Sequence, residues 1–353
     1  MVSSTRVYQI DLFRFLAAMA VVCYHFLYRG FKAGNMTLLR FDEIGSYFKY
    51  GYLGVDLFFI ISGFVIAFSI KHLSLPRFLK SRFQRLYPVY WLCLILTTVV
   101  TYYFGAPRYT VTGGQFLANI TMIQTLLGSD HIDGAYWSLY VEMKFYLLIA
   151  LFLMVNYVRK ISLDSMVCMW LLISSLRFVI GGTSVYTALH HFFILDWSSY
   201  FIAGILFYRI FSRGPKTVYF LLLAYCLFLS VYTSVGRINW LQRTFHEEFS
   251  SYVIGGTIIG FYMLMTLVAL RKMESINNSK MVKIGMLTYP LYLLHQHIGF
   301  IVFNHLYPYI NKYVLVGVVT LLLIGIAYMI SDKIEPRILR WIRGQGKVTS
   351  DTK

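Results

Sequence analysis

Long apolar runs separated by short polar loops dominate the hydrophobic pattern of this chain. A helix needs about 20 mostly apolar residues to cross a bilayer, and about ten runs come close to that length. The predicted spans are residues 8–28, 52–70, 87–104, 136–155, 163–181, 192–211, 217–234, 251–270, 284–304 and 313–331. The segment 113–127 is only moderately apolar and suggests a short interfacial or re-entrant helix. The pattern predicts an all-α, polytopic transmembrane bundle of about ten helices.

Composition supports a membrane protein and excludes a soluble globular domain of this size. Of the 353 residues, 58% are hydrophobic and 13% are charged, whereas about 25% of the residues in soluble domains are charged. The chain has 29 Tyr and 29 Phe, which suits many bilayer interfaces, where Tyr settles at the level of the headgroups. The net charge of +17 indicates basic cytoplasmic loops and attraction to anionic headgroups or an anionic cofactor, so no nucleic-acid partner is expected.

The distribution of basic residues predicts the orientation in the membrane. With the N-terminus inside, the cytoplasmic segments hold 21 of the 32 basic residues, the outer loops hold eight and the helices hold three. Since Lys and Arg concentrate in cytoplasmic loops, both termini are expected in the cytoplasm, with an even helix count. We expect one transmembrane domain over residues 1–340 and a short basic cytoplasmic tail over 341–353.

The cysteines and the first apolar run exclude two further features. The four cysteines lie in apolar stretches without CxxC or metal-ligand spacing, so we expect neither a disulfide framework nor a metal site. The first apolar run contains an arginine and lacks a small-residue cleavage site. It is therefore expected to remain as a membrane helix.

Two ionisable residues in the first helix are functional candidates, because charged groups inside a membrane are costly. Arg14 and His25 are eleven residues apart, close to three helical turns, so they share one face about 16 Å apart. Arg14 is expected in the cytoplasmic half of the span and His25 in the outer half. The alternative is structural, with an arginine that snorkels to the interface and a histidine held by hydrogen bonds.

Asp56 is expected near the outer end of the second span, at a depth similar to that of His25. A carboxylate at that depth can orient a histidine and stabilise its protonated form. Alternatively, Asp56 caps the start of its own helix, which follows Gly51 and Gly54.

The fourth span contains Glu142 and Lys144 in the sequence Trp137-Ser-Leu-Tyr-Val-Glu-Met-Lys-Phe-Tyr146. Residues two apart face different sides of a helix, so these two are not expected to pair with each other. Each then needs another partner or water, which favours a hydrated cavity at this depth.

The cytoplasmic loop from Pro76 to Pro88 concentrates basic residues just inside the membrane. Arg82 and Arg85 are three residues apart and would share one helical face. Guanidinium groups bind phosphate oxygens in bidentate fashion, so this face suits a phosphate-bearing ligand. A plain topology signal with lipid contact is the alternative.

The ninth span carries a stripe of polar aromatic residues. Tyr289, Tyr292 and His295 recur at helical spacing and line one face, whereas His297 points away from it. Such a stripe is more often helix packing than a site, but a histidine at membrane depth favours a functional surface.

Six pieces of the sequence together resemble the acyltransferase-3 family of membrane acyltransferases. They are, in chain order, Asp11-Leu-Phe-Arg-Phe-Leu-Ala-Ala with the Arg14-x10-His25 spacing, Gly54-Val-Asp-Leu-Phe-Phe-Ile-Ile-Ser-Gly-Phe64, Arg82-x-x-Arg85-x-x-Pro88, Trp137-Ser-Leu-x-x-Glu142-x-x-Phe-Tyr146, Gly285-x-x-Thr-Tyr-x-x-Tyr-Leu-x-His295 and Lys333-Ile-Glu-Pro336. Each piece is weak alone, but six in family order make a specific match. The family commonly begins with Leu-Asp-Gly-Leu-Arg-Gly, and Leu12 and Phe15 stand here where glycines often occur.

The resemblance implies transfer of an acyl group, most often acetyl, from cytoplasmic acyl-CoA to a carbohydrate hydroxyl on the outer side. Some members carry a C-terminal hydrolase-like domain. The present sequence is instead similar to membrane-only members of the bacterial inner membrane, which modify surface polysaccharides such as O-antigen. No permanently bound cofactor is expected. The expected partners are acetyl-CoA or another acyl-CoA, a lipid-linked or polymeric glycan, and membrane lipids.

The resemblance suggests a role for each candidate residue. His25 would act as general base on the acceptor hydroxyl or relay its proton. Asp56 would orient His25, and Arg14 would bind the donor or stabilise the oxyanion. The donor site would comprise Arg82 and Arg85 at the CoA phosphates, with Arg14, Trp137, Ser138, Glu142, Tyr289 and His295 around the pocket. The alternatives are a transporter or flippase without catalysis, a membrane sensor, and the same fold with a non-glycan acceptor.

Overall fold

A computed structural model describes residues 7–70, 74–276 and 278–342. Over these ranges the chain is helical and contains no strand. The longer helices are α1 (Tyr8–Cys23), α2 (Gly54–Ile70), α3 (Leu75–Phe104), α4 (Gly113–Ile120), α5 (Trp137–Arg159), α6 (Leu163–Ser175), α7 (Ser184–Phe193), α8 (Ser198–Arg213), α9 (Thr217–Gly236), α10 (Ile238–Phe245), α11 (Ser251–Ala269), α12 (Met281–Leu306), α13 (Lys312–Met329) and α14 (Glu335–Ile342). The predicted all-α class is confirmed for this part of the chain.

Eight helices of the described ranges are long and apolar enough to cross a membrane, and a ninth span results if the bent pair α7 and α8 counts as one. The members of that pair are bent by 44°. The remaining predicted span, residues 284–304, is helical within α12. That helix is not among the apolar ones, because polar residues such as His295, Gln296 and His297 interrupt it. The protein is a multi-pass membrane protein, and the cytoplasmic location of its termini stays a prediction.

The chain divides into two compact units. Unit 1 comprises Met1–Phe78 and Trp137–Gly285, and unit 2 comprises Leu79–Tyr136 and Met286–Lys353. The expected division into a domain over 1–340 and a tail over 341–353 stays a prediction, since residues 343–353 lie outside the described residues.

The core of unit 1 depends on a close approach of α2 and α8. A Cβ atom at Gly63 would lie 2.1 Å from the carbonyl oxygen of Phe201, and one at Gly204 would lie 2.0 Å from that of Ile60. Small residues at such crossings let membrane helices approach until their backbones touch. The two glycines therefore fix where α8 crosses α2.

Glycines also set the register between α1 and α2. A Cβ atom at Gly54 would lie 2.6 Å from the carbonyl oxygen of Ala17, and one at Gly51 would lie 2.3 Å from that of Ala20. The chain therefore runs past α1 in the opposite direction. The start of α2 lies at the level of Ala17.

Unit 2 contains a segment that turns back along α3. Tyr87, Tyr90 and Trp91 donate side-chain hydrogen bonds of 2.6–3.0 Å to the carbonyl oxygens of residues 119–121, at the end of α4. These donors lie well before the end of α3 at Phe104, which is about 20 Å beyond Trp91 along the helix axis. Irregular backbone at membrane depth needs such partners. The choice between an interfacial and a re-entrant helix for residues 113–127 stays a prediction.

Candidate active site

The first helix changes its winding where it carries the candidate base. After α1 the chain forms a π-helix over Tyr24–Arg29, and His25 lies in its first turn with 8% of its surface exposed. π-helical turns are rare and are frequent at functional sites. Arg14 lies in α1 and is half-buried. Both candidate residues therefore lie in unit 1, on one continuous span.

An aromatic cluster covers the π-helical turn of unit 1. Tyr24 and Tyr28 pack with Leu241, Phe245 and Phe249. The Tyr24 ring centroid is 5.1 Å from that of His25 and 6.4 Å from that of Phe245. The two tyrosines of the π-helical turn are thus covered by α10 and the residues after it, and His25 at the start of this turn is buried.

Charged side chains attach this cover to the end of the first span. Glu247 accepts a hydrogen bond of 2.9 Å from the Tyr28 hydroxyl and forms an ion pair with Lys32, with 2.5 Å between Lys32 Nζ and Glu247 Oε1. Lys49 Nζ lies 3.9 Å from the same carboxylate. Burial raises the pKa of Glu247, but the hydrogen bonds from Lys32 and Tyr28 and the charges of Lys32 and Lys49 outweigh it, so the pKa is lowered overall.

The second candidate carboxylate takes part in a buried polar network. Asp56 is 2% exposed in the first turn of α2. Its Oδ2 atom accepts hydrogen bonds from Tyr200 (3.2 Å) and Ser234 (3.4 Å) and lies 3.6 Å from Arg237 Nη2. These partners lie on α8 and at the end of α9. Asp56 therefore joins three helices through side chains, whereas its role as a cap of its own helix stays a prediction.

The register between α1 and α2 determines how far apart Asp56 and His25 lie along the helix axes. Gly54 meets the carbonyl of Ala17, and Asp56 is only two residues further along α2. His25 lies eight residues beyond Ala17, or about 12 Å along the axis. Among the described residues, the side chains that donate hydrogen bonds to Asp56 are Tyr200 and Ser234. The proposed orientation of His25 by Asp56 stays a prediction.

The ionisable residues of α5 find separate partners, as their spacing predicts. Glu142 accepts hydrogen bonds from Ser62 (2.8 Å) and Tyr146 (2.5 Å). Lys144 donates to the carbonyl oxygen of His191 (2.8 Å), with its Nζ 4.5 Å from the centre of the Tyr140 ring. Glu142 thereby connects α5 to Ser62, in the Ser-Gly-Phe end of the motif piece on α2 in unit 1. Lys144 points to another side of the helix.

The start of α5 is packed by aromatic rings. The Trp137 ring centroid lies 6.3 Å from that of Phe59 and 5.4 Å from that of Trp197. Ser138 is buried at 7% exposure. Three of the residues expected around a donor pocket therefore lie in the first two turns of α5 in unit 1, namely Trp137, Ser138 and Glu142. Their contact with a donor stays a prediction.

Two family-like motif pieces meet in unit 1 through a glycine. A Cβ atom at Gly285 would lie 2.5 Å from the Cβ atom of Asp11 and 2.7 Å from its carboxylate oxygen. Close by in the sequence, the Gln9 side chain donates to the carbonyl oxygen of Met273 (2.9 Å). The absence of a side chain at Gly285 thus lets the start of α1 approach the first turns of α12.

The basic face of unit 2 belongs to a continuous helix. The segment expected as a loop before residue 87 is the first part of α3, with Pro88 inside the helix. Arg85 is exposed and interacts electrostatically with Glu335, and the Tyr289 hydroxyl donates to the carbonyl oxygen of Leu86 (3.3 Å). Pieces of three motifs therefore lie together in unit 2. Phosphate binding by Arg82 and Arg85 stays a prediction.

His295 of unit 2 is fully buried, with a defined hydrogen bond. Its Nδ1 atom lies 2.8 Å from the carbonyl oxygen of Tyr292. A carbonyl oxygen only accepts, so Nδ1 carries the proton in this hydrogen bond. The bond fixes the orientation of the His295 ring on its helix.

A further set of contacts fixes the turn of α12 around this histidine. Asp133 is fully buried and accepts a hydrogen bond from the backbone amide of His297 (2.9 Å). Tyr136 donates to the carbonyl oxygen of Leu293 (3.3 Å), and Tyr292 donates to that of Ala135 (3.2 Å). The residues just before α5 thereby hold α12 on both sides of His295.

The hydrophobic pattern of the sequence does not single out Arg237, Asp133 or Asp196. The available signals are weak: Ser234-Val-Gly-Arg237 places a serine and an arginine three residues apart at the end of an apolar run, and Asp133 follows a short polar stretch. Arg177 lies within the predicted span 163–181, but no local pattern indicates that Asp196 is its partner.

The multi-pass helical fold, with its buried histidines and carboxylates and its six motif pieces, defines a class of membrane acyltransferases. The model of the acyltransferase-3 family, described as an acyltransferase domain, matches residues 7–329, and the chain belongs to that family.

Three relatives show the extent of the similarity. Acyltransferase MdmB of Streptomyces mycarofaciens is 29% identical over 160 residues, which are 42% of this chain and 39% of that protein. Peptidoglycan O-acetyltransferase OatA of Listeria monocytogenes serovar 1/2a is 27% identical over 165 residues, which are 41% of this chain and 24% of that protein. Protein 2 in picA locus of Rhizobium radiobacter is 36% identical over 118 residues, which are 26% of this chain and 61% of that protein. The chain thus spans less than two thirds of the length of each of these relatives, and no solved structure matches it.

Proposed function

We propose that the protein is a membrane O-acyltransferase that moves an acyl group, in the first instance acetyl, from acyl-CoA to a hydroxyl of a surface polysaccharide or its lipid-linked precursor. The family match over residues 7–329 is the observation that carries this proposal. The similarity to OatA, a peptidoglycan O-acetyltransferase, supports a glycan acceptor and an acetyl group. The expected setting is the bacterial inner membrane, with the donor on the cytoplasmic side and the acceptor outside.

The proposed base is His25. It would take the proton of the acceptor hydroxyl while that oxygen attacks the thioester carbonyl. The C–S bond then breaks, the new ester remains on the acceptor, and the CoA thiolate takes up a proton. The π-helical turn and the aromatic cover support this role, because a buried ring with restricted water can hold and release one proton without exchange with solvent.

The remaining roles follow from charge. Arg14 would bind the donor or stabilise the oxyanion formed at the thioester carbonyl, because a guanidinium offers several donors to developing negative charge. Arg82 and Arg85 would bind CoA phosphates. Trp137, Ser138 and Glu142, and separately Tyr289 and His295, would shape the donor pocket.

Two measurements test the proposal. Purified protein with radiolabelled acetyl-CoA and the acceptor glycan should form acetylated product, whereas a transporter or flippase would yield none. In membranes, His25→Ala at wild-type expression should reduce acetylation by at least about 10²-fold. The matched control is His191→Ala, since His191 is exposed and contributes only its backbone carbonyl to Lys144. Normal acetylation by His25→Ala would show that the base is another group.

A further inference from the structure

A groove of about 860 Å³ runs along α9 in unit 1. Its walls come from α9, from Ile259 of α11 and from residues near the ends of α6 and α7. The lining residues on α9 are Ala224, Leu227, Phe228, Val231, Tyr232, Thr233, Val235 and Gly236. The volume suits a ligand of several dozen atoms.

The long part of the groove is apolar. From Ala224 to Val235 the helix rises about 16 Å, close to the length of a bilayer-leaflet hydrocarbon chain. Phe228 is 53% exposed and Tyr232 is 50% exposed along this face. In a helix that crosses a membrane, such exposed apolar side chains face lipid hydrocarbon, so the groove is open to the bilayer from the side.

The charged residues of the groove are all at its other end. Arg177, Asp196 and Arg237 line it there, beside Tyr232 and the end of α9. The guanidinium carbons of Arg177 and Arg237 lie 5.9 Å from the ring centres of Tyr232 and Trp197 respectively. The groove is therefore complementary to an amphiphilic ligand: one end, the head, is charged, and the remaining length, the trough, is apolar.

Arg177 has an unmet hydrogen-bond donor at this head. Its side chain is only 9% exposed, its Nη2 atom donates to the carbonyl oxygen of Leu195 (2.9 Å) and lies 3.6 Å from Asp196, and its Nε atom is buried without a partner. A buried donor that is left unpaired is costly, so it is expected to have a ligand in the working protein. The Asp196 carboxylate also contacts His190, with 3.0 Å between Asp196 Oδ2 and His190 Nε2.

Arg237 offers further donors. Its contacts with Ser234 (2.7 Å) and Asp56 (3.6 Å) both use Nη2. A guanidinium has five N–H donors, so Nε and Nη1 of this partly exposed side chain remain for a ligand among the described contacts. Two guanidinium groups around one opening match an anion with several acceptor oxygens, and phosphate is the group that guanidinium binds in bidentate fashion.

We propose that this groove binds a membrane lipid with a phosphate headgroup, with the phosphate between Arg177 and Arg237 and one hydrocarbon chain along α9. The apolar trough suits a lipid tail, and the guanidinium N–H groups that Asp196 and Asp56 leave unused suit an anionic, oxygen-rich head. The site is separate from the donor site of the proposed function, and lipid binding does not require acyl transfer.

Native mass spectrometry of the full-length purified protein tests the site, with phosphatidylglycerol and with diacylglycerol of the same chains as probes. The first variant is Ala224→Trp, because Ala224 is exposed and its enlargement fills the trough without loss of packing. The matched control is Leu221→Trp on the same helix, at a position 66% exposed and outside the groove. A second variant, Arg177→Gln, keeps a polar side chain but removes the charge.

We expect phosphatidylglycerol to bind at least about tenfold more tightly than diacylglycerol to the wild-type protein, a ratio set by the charge-assisted contacts. Ala224→Trp should weaken phosphatidylglycerol binding about tenfold, Leu221→Trp should leave it unchanged, and Arg177→Gln should remove the preference over diacylglycerol. Equal binding of the two lipids by the wild-type protein, or wild-type binding by Ala224→Trp, would overturn the proposal. Failure of acetyl transfer with intact lipid binding would instead overturn the proposed function alone.

Discussion

Asp56 and Arg237 form an ion pair in the interior of unit 1, with 3.6 Å between the Asp56 Oδ2 and Arg237 Nη2 atoms. Asp56 is almost fully buried there, whereas 27% of the Arg237 side chain is exposed toward the groove. The pair joins the first turn of α2 to the end of α9. Tyr200 and Ser234 complete the hydrogen bonds of the carboxylate.

Removal of one partner of this pair should destabilise the protein. Arg237→Met leaves a buried carboxylate without its counter-charge, and the expected loss is toward the lower end of about 3–5 kcal/mol, because Arg237 is partly exposed. Thermal unfolding of the purified protein measures this loss as a lower Tm. The double variant with Asp56→Asn should recover part of the loss, since the unpaired charge is then gone. A Tm for Arg237→Met equal to that of the wild-type protein would contradict this account of the pair.

The crossing of α2 and α8 should tolerate no side chain at its glycines. Gly204→Ala places a methyl group 2.0 Å from the carbonyl oxygen of Ile60, so the helices must separate, at an expected cost of about 1–3 kcal/mol or more. Gly256→Ala on α11 is the matched control, because a Cβ atom there meets nothing within 4 Å. The Tm should fall for the first variant and stay constant or rise slightly for the second. A similar Tm for both variants would show that the helix crossing is loosely packed.

Much of the architecture could be predicted from the sequence, because each membrane span is a local property of its own residues. The apolar run at 251–270 becomes α11 almost residue for residue. The different sides taken by Glu142 and Lys144 follow from their spacing of two. The span at 284–304 is helical as predicted, although His295, Gln296 and His297 make it less apolar than its neighbours.

The site geometry could not be predicted, because it depends on contacts distant in the sequence. Asp56 and Arg237 are brought together by the crossing of α2, α8 and α9, which no local pattern encodes. The π-helical turn at His25 leaves no mark in the hydrophobic pattern, since Tyr24–Arg29 has the composition of an ordinary helix end. The continuation of α3 through the basic segment was likewise hidden, because Pro88 and the cluster of charges both suggested a loop.

The cover over the π-helical turn should weaken in acid. The lowered pKa of Glu247 means that its charged form is favoured in the folded protein. This group therefore contributes stability above its ordinary pKa of about 4.3, and the contribution is lost as the pH falls through the lower pKa of the folded protein. Between about pH 6 and pH 3, a range that spans the ordinary and the lowered pKa, the Tm of the wild-type protein should thus fall more steeply than that of Glu247→Gln. The control is Glu248→Gln, since Glu248 is exposed and only its backbone carbonyl accepts from Lys49. A wild-type pH dependence in Glu247→Gln would assign the acid sensitivity to another group.

Acetyl-CoA binding to the basic face of unit 2 should change in opposite directions when the charge is removed at Arg85 and at Glu335. Arg85 is exposed and lies within the electrostatic reach of Glu335, so in the proposed function a CoA phosphate would compete with that carboxylate for the guanidinium. Arg85→Ala should weaken acetyl-CoA binding about tenfold, as expected for the loss of one charge-assisted contact, whereas Glu335→Gln should leave it equal or strengthen it. Isothermal titration of the purified protein with acetyl-CoA measures both effects, and higher salt should reduce the difference between the variants. Unchanged affinity in Arg85→Ala would leave the arginine as a topology signal and place the phosphate site elsewhere.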